Sequence, residues 1–368
     1  MSHPITVARL LTRKNALGES RADDAQLSLQ LDEDEVVLKI IRVAITTNNI
    51  TYAAFGEAMQ YWDFFPTQLP GWGHMPVWGV ADVVASAASG IEIGERIYGY
   101  FPIASHIKML ATRISKRGFY DGSAHRLPLT SAYNHYTRCS TDPAYFLGSE
   151  NYQIIVRPLF ITSFMGADFL QDNDFFGAAQ IVVSSASSKT AYGTAFCLQA
   201  LPGIKLVALT SRANCGFVEG LGCYDETVIY DELPSVPADV PTLYLDFSGD
   251  EALRERVHRH FGDALSYDCF AGSAQNTAFL RDTGLPGPKP AFYFAPVQIR
   301  KRNSDWGHEE VNRRFNEAQL RFIGCISDKD RPWMRIVEHR GLEAAKALVT
   351  DMHSGRIDPQ AGHVVVLE

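Results

Sequence analysis

Cysteine is scarce in this chain of 368 residues: there are six, at positions 139, 197, 215, 223, 269 and 325. None form a Cys-x-x-Cys pair and none precede Cys139. Structural zinc needs clustered thiolates, so this spread argues against a zinc lobe. Scattered thiols instead fit a reducing, cytoplasmic compartment. Positive charge is also short: the net charge is −8, which argues against nucleic acid or an anionic membrane as the main partner. No apolar run reads as long enough to span a bilayer. The N-terminus lacks the apolar core of a secretory signal. Arg9 and Arg13, with no acid before Glu19, hint at a transit peptide, but an edge strand is the better reading. Hydrophobic residues make up 46% and charged ones 21%, as in ordinary globular chains, and the length calls for two domains.

Glycine is missing where it would say most. Residues 180–195 read as an apolar strand (Ile181 to Val183), a turn of small residues and a helix; a second strand, Lys205-Leu-Val-Ala-Leu-Thr210, follows. This unit lays a dinucleotide pyrophosphate on a helix N-terminus, where unpaired N–H groups and the helix dipole favour an anion. Serines stand where the Gly-x-Gly-x-x-Gly fingerprint would have glycines.

The first ~150 residues read as β-rich, with strands in Val36–Ile45 and Gly79–Ala85 and a turn into a third over Ile91–Gly99. From about 151 short apolar strands (Ile181–Val183, Lys205–Thr210, Thr227–Ile229, Thr242–Phe247, Phe292–Phe294) alternate with helix-length stretches such as Phe217–Leu221 and Ala252–Phe261. That alternation means a parallel sheet with helices on both faces. Gly284–Pro290 reads as a rigid linker, 308–322 and 341–353 as helices, and His363–Leu367 as an edge strand.

This order resembles the medium-chain dehydrogenase/reductase superfamily over nearly the whole chain. Thr46-Thr-Asn48-Asn-Ile-Thr51 resembles its Gly-Val-Asn-x-x-Asp segment, and Ile93-Gly-Glu-Arg-Ile97 its Val-Gly-Asp-Arg-Val. Ile181-Val-Val-Ser-Ser-Ala-Ser-Ser-Lys-Thr-Ala191 stands where the family has Val-x-Gly-Ala-x-Gly-x-Val-Gly. Val207–Ser211, Phe217–Gly222 and Val228-Ile-Tyr230 are similar to its second strand, helix and third strand. The resemblance implies an α/β protein: a GroES-like β-rich domain over 1–150, completed by 297–368, and a Rossmann doubly wound domain over 151–296. The Ser-Ser-Ala-Ser-Ser-Lys-Thr turn, Arg157-Pro-Leu-Phe160 and Phe292–Pro296 point to a zinc-independent, quinone/enone reductase-like branch.

Laid on the family pattern, Ser185, Ser188 and Ala191 occupy the three glycine positions. The third needs only a small residue; at the second, a serine takes space but can donate to a phosphate oxygen. Ser185, Ala186, Ser187, Ser188, Lys189 and Thr190 are therefore read as the pyrophosphate turn, with a plain Ser/Thr helix cap as the alternative. Ser188-Lys189-Thr190 also ends like a phosphate loop, with Asp246 as a magnesium-binding residue, but that loop needs glycine at 183 and 188, where Val183 and Ser188 stand. Strand two ends Thr210-Ser211-Arg212 with no acid before Glu219, which favours the 2′-phosphate of NADP over the ribose hydroxyls of NAD. A solvated surface arginine is the competing reading of Arg212. Tyr230, Phe247, Ser248, Gly249, the strand end Phe270-Ala-Gly272, and Phe294 with Ala295 are expected to line the rest of the cofactor site. By resemblance the last pair lies near the nicotinamide.

Zinc-dependent members take a Cys near the segment matched by 46–51 and a His-Glu pair near 74. Gly73-His74-Met75 lacks the Glu and any thiolate partner, so no metal is expected. The resemblance then implies hydride transfer to an activated double bond or carbonyl of a small enone- or quinone-type molecule, with a protein proton donor. Tyr52 is read as that donor, Asn48 or Thr51 as holding the substrate oxygen, and Asn49, Tyr61 and Trp62 as substrate wall; aromatic packing is the competing reading. A lyase or isomerase, or a cofactor-binding protein without turnover, remains the alternative on this scaffold. Relatives often pair as dimers.

Overall fold

Two kinds of apolar pattern, alternating and continuous, give this chain two kinds of sheet. The computed structural model describes residues 4–271 and 284–367. It divides into two units, Met1–Ile155 with Met334–Glu368, and Val156–Trp333.

In the first unit β1 (Ile5–Arg13), β2 (Ala16–Leu27), β3 (Glu35–Ile45), α1 (Thr47–Ala54), β4 (Trp72–Gly73), β5 (Pro76–Ser86), β6 (Arg96–Pro102), β7 (His106–Ser115), β8 (Gly118–Asp121) and β9 (His135–Arg138) follow in order. Strand β3 is apolar and buried along most of its length because it has neighbours on both sides. Strand β7 pairs back onto β3, closing an antiparallel barrel in the order β3-β5-β6-β9-β8-β7. The barrel core includes Leu38, Ile40, Val43, Val77, Ile97, Phe101 and Phe119, all fully buried.

The boundary to the second unit falls inside α2 (Glu150–Asp172). Contrary to the sequence reading, this 23-residue helix is long and apolar enough, by length and composition, to cross a membrane. Its Ile154, Ile155, Val156, Phe160, Met165 and Leu170 are buried in the protein, as expected of a core helix.

The second unit alternates β10 (Gln180–Val183), α3 (Lys189–Leu198), β11 (Lys205–Thr210), α4 (Cys215–Leu221), β12 (Glu226–Ile229), β13 (Thr242–Asp246), α5 (Glu251–Phe261), β14 (Leu265–Phe270) and β15 (Ala291–Phe292). The strands are parallel, in the order β12-β11-β10-β13-β14-β15, the doubly wound Rossmann arrangement. Central β10 and β13 are buried at every position, which is why they read as unbroken apolar runs. Helix α5 starts at an Asp250 cap, whose carboxylate accepts from Ala252 N–H (2.9 Å) and Leu253 N–H (3.1 Å). It buries Leu253, Val257 and Phe261 at four-residue spacing.

Helices α6 (Ala295–Trp306) and α7 (His308–Ile326) also belong to the second unit, so the stretch 297–333 corrects the expected boundary. The cause is local packing. Asp168 accepts from Gln298 (2.5 Å) and Arg302 (2.6 Å), and Phe322 stacks on Phe160 at 4.5 Å. The chain then returns to the first unit as β16 (Arg335–Arg340), α8 (Gly341–His353) and β17 (Ala361–Val366), which pairs antiparallel with β3.

Candidate functional site

In the parallel sheet the chain winds one way from β10 and the other way from β13, so the C-terminal ends of these two neighbours form the topological switch point. Ser184 joins them. Its hydroxyl donates to Asp246 Oδ1 at 2.7 Å and accepts from the N–H groups of Phe247 (2.9 Å) and Ser248 (3.1 Å). Asp246 Oδ1 also accepts from Ser248 N, Ser248 Oγ and Gly249 N, while its other oxygen meets Arg254 at 2.6 Å. Phe247, Ser248 and Gly249 are thus fixed in a tight turn beside β10. Beneath it Arg254 also lies 3.5 Å from Asp268, whose carboxylate contacts His258 at 2.8 Å and is held above its usual range by burial.

The turn after β10 is built from small side chains. Ser185 has φ of +50°, the left-handed region, at the position where the family pattern has its first glycine. Tyr230 reaches it: the phenol oxygen accepts from Ser185 N–H at 3.2 Å. Ala186 is fully buried, packed with Ala208 and Val218. Ser187 accepts from Asn214 at 3.0 Å. Ser188 caps α3, its hydroxyl accepting from Ala191 N–H at 3.3 Å, so the capping role weighed from the sequence is present. Lys189 and Thr190 begin the helix, half-buried, in the turn where N–H groups lack intrahelical partners.

At the end of β11, Thr210 is buried with a hydroxyl that has no partner among the described residues. Ser211 is half-buried, and Arg212 is 77% exposed, 3.8 Å from an exposed Glu232. A pair this exposed is weak and leaves the guanidinium free to exchange partners. Phe294 caps α6 and stacks with Phe292 at 6.0 Å, and Ala295 is buried. Gly272, expected at a strand end here, lies outside the described residues.

The first unit gathers a second group of expected residues. Tyr52 and Asn48 share one face of α1. The Tyr52 phenol oxygen accepts from Trp78 Nε1 at 3.3 Å and also hydrogen-bonds with Asn48 and Tyr133. Burial among these rings pushes the Tyr52 hydroxyl well above its usual pKa, so it stays protonated at neutral pH. Tyr61 packs on Tyr52 with ring centres 4.8 Å apart and meets the Tyr133 hydroxyl at 3.1 Å. Tyr100 lies against Tyr52, Tyr133 and Trp78, fully buried.

Three expected residues stand elsewhere. Asn49 is buried and structural: it accepts from Thr46 N–H (2.7 Å) and donates to the Pro76 carbonyl (2.8 Å). The Thr51 hydroxyl bonds back to the Thr47 carbonyl of its own helix at 3.4 Å. Trp62 belongs to the barrel core, wedged against Gly56 and Gly73, whose missing side chains make room for the indole. His74 is buried with its pKa lowered to about 4, chiefly because burial disfavours the charged ring. Among the described residues no cluster of three or more His, Cys, Asp or Glu could hold a metal.

The sequence reading passed over Ser184, Arg254, Trp78, Tyr133 and Arg126. Only Ser184 had a local signal, as the hydroxyl ending an apolar strand before the turn.

A closed antiparallel barrel joined to a Rossmann sheet of this strand order is the fold of the medium-chain dehydrogenases and reductases. Solved structures bear the likeness along their full length. CurA from Vibrio vulnificus in complex with NADPH is 13% identical, with a TM-score of 0.60 and coverage of 98% of this chain and 99% of that one. CurK enoyl reductase is 12% identical, with a TM-score of 0.58 over 98% and 99% of the two chains. The yhdH oxidoreductase from Salmonella enterica in complex with NADP is 15% identical, with a TM-score of 0.52 over 99% and 100%. At such identity the likeness is one of fold. No curated protein sequence matches the chain. By sequence it belongs to the family of proteins of unknown function DUF2855, whose profile matches residues 43–358.

Proposed function

We propose that this protein is an NADP(H)-dependent, zinc-independent reductase of an activated double bond or carbonyl in a small enone- or quinone-type molecule. The observation that carries the reading is the small-residue turn 185–188, opening α3 with Lys189 at the switch point of a sheet ordered β12-β11-β10-β13-β14-β15. Bound nicotinamide would supply the hydride. Ser187, Lys189 and Thr190, with the first N–H groups of α3, would hold the pyrophosphate. Ser188 contributes by capping that end, and Tyr230 by bracing Ser185. Ser211 and the solvated Arg212 suit a 2′-phosphate, since a guanidinium fork matches a phosphate dianion. Phe247, Ser248 and Gly249 form the opposite lip, and Phe294 and Ala295 would flank the nicotinamide. Tyr52 gives the proton, with Asn48 steadying its oxygen. Two cofactor complexes of similar fold, CurA with NADPH and yhdH with NADP, support the choice of dinucleotide. We place the enzyme in the cytoplasm, acting on a small molecule.

Titration with NADPH and NADH, followed by nicotinamide fluorescence, tests this. Saturable enhancement with NADPH is expected, weakened roughly tenfold or more in Arg212→Ala with little change for NADH. Absence of binding up to millimolar NADPH overturns the reading.

A further inference from the structure

The three phenols around Tyr52 arrive from three separate stretches. Tyr52 lies on α1, Tyr61 opens the 3-10 turn Tyr61–Phe64, and Tyr133 closes the 3-10 turn Ser131–Tyr133. Tyr52 and Tyr61 are buried, whereas Tyr133 is half-buried. Ring centres lie 5.9 Å (Tyr52–Tyr133) and 5.5 Å (Tyr61–Tyr133) apart, edge to face, and the Tyr133 hydroxyl lies 3.1 Å from that of Tyr61 and also hydrogen-bonds Tyr52. Trp78 can only donate, so its N–H obliges the Tyr52 oxygen to accept there.

What holds the two turns in register is Arg126. It is fully buried, donating to the Phe64 carbonyl (3.0 Å), which ends the turn that Tyr61 opens, and to the Tyr133 carbonyl (3.2 Å). It also bonds Asn134 at 2.7 Å and the Tyr136 hydroxyl at 2.9 Å, and lies 4.9 Å over both Phe64 and Phe65. The nearest carboxylate, Asp121, is 3.9 Å away. A buried cation with so distant a counter-charge is an expensive way to pack a loop, and both turns that it clamps carry a phenol.

We infer that Tyr133 is a proton relay between solvent and Tyr52, held in place by Arg126. The inference rests on the reductase reading above. Hydride addition brings two electrons and leaves an enolate or hydroquinone anion. The Tyr52 O–H bond breaks as that anion takes the proton. The Tyr52 phenolate, still receiving hydrogen bonds from Trp78 and Asn48, takes the Tyr133 proton. Tyr133 is restored from water, leaving hydroxide. Tyr61 hydrogen-bonds Tyr133 and keeps its oxygen pointed at Tyr52.

The test uses the full chain with NADPH and 1,4-naphthoquinone as the probe acceptor, comparing wild type with Tyr133→Phe. NADPH affinity from nicotinamide fluorescence and KM for the quinone should stay within about twofold, while kcat falls roughly tenfold or more. The solvent deuterium isotope effect on kcat should rise, which a merely structural role would not cause. Separately, with ζ-13C-tyrosine, the Tyr52 and Tyr61 resonances should move in Tyr133→Phe without any cofactor. Wild-type kcat and isotope effect in Tyr133→Phe, or unmoved resonances, overturn the relay while leaving the reductase reading intact. A wild type that binds no NADPH overturns that reading, and the relay falls with it.

Discussion

Ser184 and Asp246 bond at 2.7 Å between the ends of two neighbouring parallel strands, and the serine oxygen accepts two N–H groups from the turn that follows Asp246. One hydroxyl therefore fixes both lips of the switch-point crevice. Ser184→Ala removes a buried donor and leaves the Phe247 N–H without an acceptor, which costs about 1–3 kcal/mol. The urea midpoint should fall accordingly; an unchanged midpoint would show that the turn is held by Asp246 alone.

Below that turn, Arg254 is the cation between two buried carboxylates, 2.6 Å from Asp246 and 3.5 Å from Asp268. Its side chain is only 10% exposed, so solvent does little to screen it. Arg254→Met should destabilise the protein by about 3–5 kcal/mol, because it strands buried charge. A loss below about 1 kcal/mol would mean the pair is effectively solvated.

Ser185 holds a left-handed backbone conformation that costs an L-residue roughly 1–2 kcal/mol. Ser185→Gly relieves it while giving up a hydroxyl contact with Tyr230. The expected net effect is a gain of up to about 1 kcal/mol with NADPH affinity kept. A lower thermal midpoint in this variant would show that the contact to Tyr230 outweighs the strain.

His74 gives stability a pH dependence. Its folded-state pKa is lowered from 6.5 to about 4, chiefly by burial, so between those values the unfolded chain binds the extra proton. Stability from this group is complete above about pH 6.5 and lost as pH falls towards 4, by about 3 kcal/mol in all. His74→Leu should flatten urea midpoints measured across that window. Parallel curves for the two proteins would rule the histidine out as the cause.

Much of the Rossmann half was legible because parallel strands buried on both faces must be continuous apolar runs. Lys205–Thr210 is β11 as read, and α5 shows its Leu253, Val257 and Phe261 spacing openly. Other elements carry misleading chemistry. Pro158 inside α2 argues for a break, although the helix continues through it. The polar Arg-Lys-Arg-Asn-Ser-Asp run of α6 reads as loop. Strand β16, Arg-Ile-Val-Glu-His-Arg, lies at a sheet edge with little buried, so it has no strong alternation to detect. The candidate site was half legible. Asn48 and Tyr52 are four residues apart on α1, whereas Trp78, Tyr133 and Arg126 reach them only through barrel closure and long loops, which no local pattern encodes.

The indole of Trp62 fills the space over two backbone positions, Gly56 and Gly73, where even a methyl group would overlap it. These three sites therefore form one unit of inheritance. In related chains, loss of the indole should permit alanine or larger at the two glycines, and a side chain appearing at either should coincide with a smaller residue at 62.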